Sequence, residues 1–235
     1  MAWLEYALAF ITFFVGHRVP VLPRVKPRLQ AQLGETGFLI AYSVLSTLLL
    51  AWLLSASARA PFIVLWSWAP WQNGVPLLGM LLVCVLLALS IGVPNPFSFG
   101  GGRGVFDPAN AGIVRWVRHP LLLALAIWSG CHVVPNGDLA HVAMFASFCM
   151  FALMGMELLD KQRQKTLWIK KEGSTTGQNW QALLYEMRVF SPKFRVWVCS
   201  GDVIVRCVIG VLVYGMLLAF HEAAFGVNPL WGVLP

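Results

Sequence analysis

Five histidines punctuate a chain that carries little charge: His17, His119, His132, His141 and His221. Two of them bracket one stretch, Arg115 to Ala140, which reads RWVRHPLLLALAIWSGCHVVPNGDLA. Proline is tolerated in the first turn of a helix, where its missing N–H has no intrahelical partner to lose. Pro120 therefore predicts a helix start, and Pro135-Asn136-Gly137-Asp138 its stop. His119 and His132 are thirteen steps apart, roughly 20 Å along such a helix at 1.5 Å per residue. At about 100° per step their imidazoles point roughly 140° apart. One apolar helix thus brings a histidine to each of its ends.

Imidazoles suggest metal or proton chemistry, and the spacings narrow the choice. No HxxxH, no HExxH, and no carboxylate or thiolate at ligand spacing accompanies them, which excludes an ordinary zinc site. No serine carries a nucleophile-elbow signature. Gly-Gly-Gly-Arg-Gly at 100–104 lacks the preceding strand and the Gly-Lys-Ser/Thr of a phosphate loop, so it reads as flexible connection. The five cysteines, at 84, 131, 149, 199 and 207, form no CxxC and fall mostly in apolar runs, as small buried hydrophobes do. Histidines spread over several helices of an apolar bundle are suited to holding a haem, one imidazole on each iron face. Arg18, Arg115, Arg118 and Arg206 would then be available to its propionates, or serve only as topology-setting charges.

The elements that must position these residues are membrane spans. Apolar residues make up 58% of the 235 positions and charged residues 11%, with mean hydropathy +0.72. Several apolar runs approach the ~20 residues a helix needs to cross a bilayer. The reading is an all-α polytopic membrane bundle of six transmembrane helices in a single domain, 1–235. Spans are expected at Ala2 to Leu22, Thr36 to Leu54, Val75 to Val93, His119 to Val134, Leu139 to Leu159 and Asp202 to Phe220. The first lacks the basic leader and cleavage site of a signal peptide and reads as uncleaved. Between them lie a stiff basic loop with Arg24, Lys26 and Arg28, a tryptophan-rich interfacial piece after Ala60, and an amphipathic lead-in from Ala111 to Arg118. A long polar region runs from Asp160 to Ser200, with a mobile tip expected at Gly173–Gly177. Asp138 is expected to cap the fifth helix.

Lysine and arginine fall four in the first connection, three in the third and eight in the fifth, with Arg59 alone in the second. That asymmetry places the odd-numbered connections in the cytoplasm and both termini in the periplasm. The net charge of +7 is accordingly a matter of topology, with the lipid bilayer as the partner and no nucleic acid.

Three strings carry a resemblance: GHRVPVLPRVKPRLQAQLGETGFLIAYS, GIVRWVRHPLLLALAIWSGCHVVPNGDLA and HEAAFGVNPL. They are similar to the NnrU family of bacterial membrane proteins, itself related to the 15-cis-zeta-carotene isomerases of plants and cyanobacteria. The resemblance implies an inner-membrane haem b protein, linked to denitrification or nitrogen-oxide metabolism. In the isomerases it also implies redox-gated isomerisation of a polyene double bond. Carried over by position, the haem ligands fall on His17 and His132, and the Arg-His-Pro histidine on His119. Where the isomerases have a His-His pair late in the fifth span, this chain reads Phe151-Ala152-Leu153.

Depth offers another pairing. On straight spans His17 and His132 differ by roughly 15–20 Å in depth. His119, beside Arg118, matches His17 better, and His221 matches His132. One haem is expected, with His132 and His17 as ligands and His221 and His119 as alternate partners. Arg18 and Arg118 stand near the cytoplasmic histidines.

Two further readings belong to other classes. GIVRWVRHP followed by MELLDKQRQ resembles isoprenylcysteine methyltransferases, in which Arg-His-Pro-x-Tyr-x-Gly and a later Glu-Glu hold S-adenosylmethionine. Here those positions read Leu122, Ala124 and Met156-Glu157. The other reading is a structural membrane subunit without chemistry, possible as part of an oligomer.

Overall fold

Prolines and glycines decide where the helices of this chain begin and end. The structure is a computed structural model describing residues 1–99, 102, 104–172, 184–185 and 201–233. Its long elements are all helical: α1 (Ala2–Arg18), α2 (Lys26–Arg59), α3 (Trp71–Ser90), α4 (Pro120–Val133), α5 (Leu139–Glu172) and α6 (Gly201–Phe225). No strand occurs among the described residues, only an isolated antiparallel bridge between Val64 and Asp138. The tip expected at Gly173–Gly177, Cys199 and most of the Gly100–Arg103 run lie outside the described residues.

Four helices are long and apolar enough to cross a membrane: α2, α3, Leu139–Lys165 of α5, and α6. The other two are shorter. α1 has 17 residues and α4 has 14, roughly 25 and 21 Å against a hydrocarbon core of ~30 Å. Pro20 and Pro23 halt α1, the chain passing into a 3-10 turn, Val19–Val21.

Two expectations about boundaries are corrected. The basic segment after Pro23 is not a stiff loop, because α2 begins at Lys26 with Pro27 in its first turn. A break at Gly34 (φ 72°, ψ 167°) separates that short basic helix from the apolar run, in a region of backbone space that is essentially glycine's alone. The lead-in before α4 is not an amphipathic helix but two 3-10 turns, Pro108–Asn110 and Gly112–Arg115. Gly112 has φ 56°, and Pro120 drives His119 out of the helical region to φ −121°, ψ 66°. Ala111 and Val114 are buried there with Phe97.

The chain divides into two compact units. The first comprises residues 1–67 and 136–144. In it α1 packs along α2, burying Ala9, Leu53 and Ala56. The Tyr6 hydroxyl donates to the Ala140 carbonyl at 2.8 Å. Residues 61–67, the tryptophan-rich piece, form no helix. They lie extended, with Leu65 N–H donating to Gly137 O (2.8 Å) and Leu139 N–H to Ile63 O (2.9 Å).

The second unit comprises residues 68–135 and 145–235. Here α3 is the centre, packed on both α4 and α6. Small residues permit the approach: a Cβ at Gly79 would stand 2.9 Å from Cys131 Sγ, and one at Gly210 would stand 2.8 Å from the Val85 Cα. Without a hydrophobic drive between helices in lipid, close van der Waals contact of this kind is what associates them. Together with the Asn95–Arg118 and Arg206–Ala88 hydrogen bonds, these contacts set the direction, α4 and α6 both running antiparallel to α3. The four cysteines of the described residues are free thiols, Cys84 and Cys131 being buried as expected.

Candidate functional site

At the start of α4 the Arg-His-Pro string builds a buried polar cluster. His119 is the residue before the helix and is 4% exposed. Its Nε2–H donates to Asp160 Oδ1 at 2.7 Å, while Arg118 Nη2 donates to Asp160 Oδ2 at 2.7 Å. The carboxylate of Asp160, on α5, thus ties the two neighbours together, and because it can only accept when ionised it fixes the hydrogen of His119 on Nε2. Nδ1, which carries the lone pair on a neutral ring, is buried with no hydrogen-bond partner. Asn95 holds the same turn from the other side, its Nδ2 donating to Arg118 O (2.9 Å) while its Oδ1 accepts from Phe97 N–H (2.9 Å). Asp160 had no signature in the sequence beyond standing where an apolar run gives way to charge. Glu157, the carboxylate that a methyltransferase resemblance singles out, is exposed one turn away.

The other end of this unit holds His132 and His221. His132 lies in the last turn of α4, its ring beside Trp128 and Phe145 at centroid distances of 5.7 and 5.4 Å. Its Nδ1 is 2.6 Å from the Trp128 carbonyl; a carbonyl only accepts, so Nδ1 carries the hydrogen and Nε2 the lone pair. His221, in the last turns of α6, repeats the arrangement with Nδ1–H donating to Val227 O at 2.8 Å. His221 lies at the same end of the unit as His132, toward the start of α3. The antiparallel packing on α3 agrees: counting from the Gly79 and Gly210 contacts, the two histidines fall at levels of α3 only roughly 7 Å apart.

In the first unit His17 shows the same chemistry. Its Nδ1–H donates to Phe13 O at 2.9 Å, its ring lies 4.1 Å from that of Phe13, and Tyr42 donates to its carbonyl at 3.2 Å. Arg18 beside it is exposed. His141 is accounted for structurally, its Nδ1 2.8 Å from Asp138 Oδ2. Asp138 also accepts from the His141 backbone N–H at 3.2 Å, the expected cap of α5. Asp138→Ala is expected to cost about 1–2 kcal/mol, read as a lower thermal midpoint in detergent with helix content retained.

The arginines divide by task. Arg118 is engaged with Asp160, and Arg115 Nη2 reaches Pro108 O at 3.4 Å. Arg206 donates to the Ala88 and Ile91 carbonyls at 3.1 and 2.9 Å, closing the C-terminal end of α3 where a cation is favoured. Sequence inspection offered it as a propionate partner; the helix end occupies it.

A family model described as NnrU protein matches residues 5–229, a range that includes every histidine. The chain belongs to the NnrU family. No curated protein and no solved structure matches it. In this NnrU protein, then, the histidines sort by tautomer: His17, His132 and His221 hold a backbone carbonyl through Nδ1–H, whereas His119 holds a carboxylate through Nε2–H. Among the described residues no group of three or more metal-ligating side chains converges, which a haem held by two imidazoles does not require.

Proposed function

We propose that this NnrU protein is a bacterial inner-membrane haem b protein of six spans, α1 and α4 crossing as its short helices, with both termini periplasmic. The observation that carries the proposal is the tautomer shared by His132, His17 and His221. A histidine that ligates iron almost always donates its other ring N–H to a carbonyl or carboxylate, which fixes its orientation and raises its basicity. A short bond from Nδ1–H to the carbonyl one turn back does this for His132 and leaves Nε2 as the ligating atom. Trp128 and Phe145 supply an apolar wall suited to a porphyrin face. His17, which the resemblance names, and His221, which shares the unit of His132, are the candidates for the second ligand; His119 is assigned elsewhere by Asp160. When bound, the haem supplies one-electron redox chemistry. The chain's residues orient the imidazoles and keep water from them. Nitrogen-oxide metabolism and isomerisation of an apolar polyene are the chemistries that the resemblance attaches to such a centre.

Detergent-purified protein is expected to show a Soret band, with sharp α and β bands after dithionite reduction. His132→Ala should lose most of the haem per protein, and either His17→Ala or His221→Ala should do the same while the remaining one keeps it. A colourless preparation from haem-replete cells would overturn the proposal. For topology, a reporter fused after Pro235 is expected on the periplasmic side, and a cytoplasmic signal would reverse the assignment.

A further inference from the structure

The His119 cluster is not used by a haem at the other end of α4, and it is chemically incomplete. Two of its buried polar atoms, His119 Nδ1 and Arg118 Nε, have no partner, and Ser98 Oγ, near Asn95 in sequence, has none either. Ser98 is 4% exposed and follows the Asn95–Phe97 turn that is tied to Arg118. Burying such atoms unsatisfied costs about 1–3 kcal/mol each, so the arrangement points to a ligand that completes it. The helix start adds to the demand. α4 has no side-chain cap, its first residue is a proline without N–H, and the next two, Leu121 and Leu122, have N–H groups with no intrahelical acceptor by position. Helix N-termini of this kind favour anions.

We propose that the start of α4 binds a tetrahedral oxyanion that retains an acidic hydroxyl: inorganic phosphate, or a phosphomonoester in its monoanionic form. The donor and acceptor inventory sets this choice. Arg118 Nε, Ser98 Oγ and the first N–H groups of α4 are donors, and suit anionic oxygens. On the neutral ring His119 Nδ1 is an acceptor, because Asp160 holds the one ring hydrogen on Nε2. An oxyanion with no hydrogen would set its lone pairs against that of Nδ1, whereas one with an O–H donates to it. Sites built around a hydroxyl reject the analogue lacking it strongly, since a buried acceptor is then left unpaired. Phosphate near neutral pH keeps at least one O–H and sulfate keeps none. Asp160 is therefore a positioning residue: it selects the ligand through the tautomer of His119.

The test compares phosphate with sulfate at equal ionic strength on the full-length protein, labelled with 15N-histidine and held in nanodiscs of uncharged lipid. Phosphate is expected to move the His119 Nδ1 resonance saturably, with sulfate at least ten-fold weaker. In Asp160→Asn the amide donates to Nε2 while its oxygen still accepts from Arg118. His119 then carries its hydrogen on Nδ1, and the preference should fall away or invert. Competition by phosphatidic acid but not by phosphatidylglycerol, a phosphodiester, would support the proposal with a lipid headgroup as the source; phosphate binding without such competition would support it with a soluble one. Equal response to both anions, or response to neither because a buried water completes the cluster, would overturn it. The wild-type comparison stands even if the variant does not fold.

Discussion

Gly210→Ala should destabilise the second unit by about 2–3 kcal/mol, the upper part of what overpacking typically costs. The added methyl would stand 2.8 Å from the Val85 Cα and 3.0 Å from the Cys84 carbonyl oxygen. Both are backbone atoms, so no side-chain rotation relieves the clash and α6 must move off α3. The fitting control is Gly215→Ala on the same helix, where a Cβ meets nothing within 4 Å. There the substitution should be neutral or mildly stabilising, by up to ~1 kcal/mol, because alanine restricts the unfolded chain. Unfolding both in mixed micelles with increasing dodecyl sulfate separates them; equal midpoints would mean that the close approach of α3 and α6 is wrong.

Asp160→Ala is expected to cost about 2 kcal/mol, and most of it should come from one partner. Arg118 is 40% exposed at its side chain and can turn to water, so its share is small. His119 is 4% exposed and would be left with both ring nitrogens unpaired, at about 1–3 kcal/mol. Asp160→Asn keeps an acceptor for Arg118 and turns a donor toward His119, whose ring takes the other tautomer, and should lose about 1 kcal/mol, the charge-assisted part of the bonds. In the double variant Asp160→Ala with His119→Leu the loss should largely vanish, since an apolar ring-sized group needs no partner. If the double variant is no better than Asp160→Ala, the cost lies elsewhere than at His119. The readout is again the unfolding midpoint in mixed micelles.

How much of this was legible beforehand depends on the range of the signal. The limits of α4 were, because Pro120 and Pro135-Asn136-Gly137 act locally, and the cap at Asp138 followed from the same turn. The histidines were found by type, but their division into two chemical classes was not, since a tautomer depends on which atom faces the ring. Asp160 is 41 residues from His119, and nothing in the composition around it distinguished it from the lysines and glutamines that follow. The start of α2 was misplaced because a proline was read as a loop signal where it served as a first-turn residue. The Ala111–Arg118 segment failed for the opposite reason: its apolar spacing suited a helix, while Gly112 and the residue before Pro120 required other backbone angles.

The separation between the two halves of the polar cluster also has a meaning in time. Arg118 leaves the ribosome 42 residues before Asp160, which at roughly 5–20 residues per second is about 2–8 seconds. For that interval the start of α4 carries a guanidinium and an imidazole with no carboxylate to receive them. Their pairing waits until α5 has been synthesised as far as Asp160. A chain truncated before Asp160 would therefore keep Arg118 and His119 without the carboxylate that joins them.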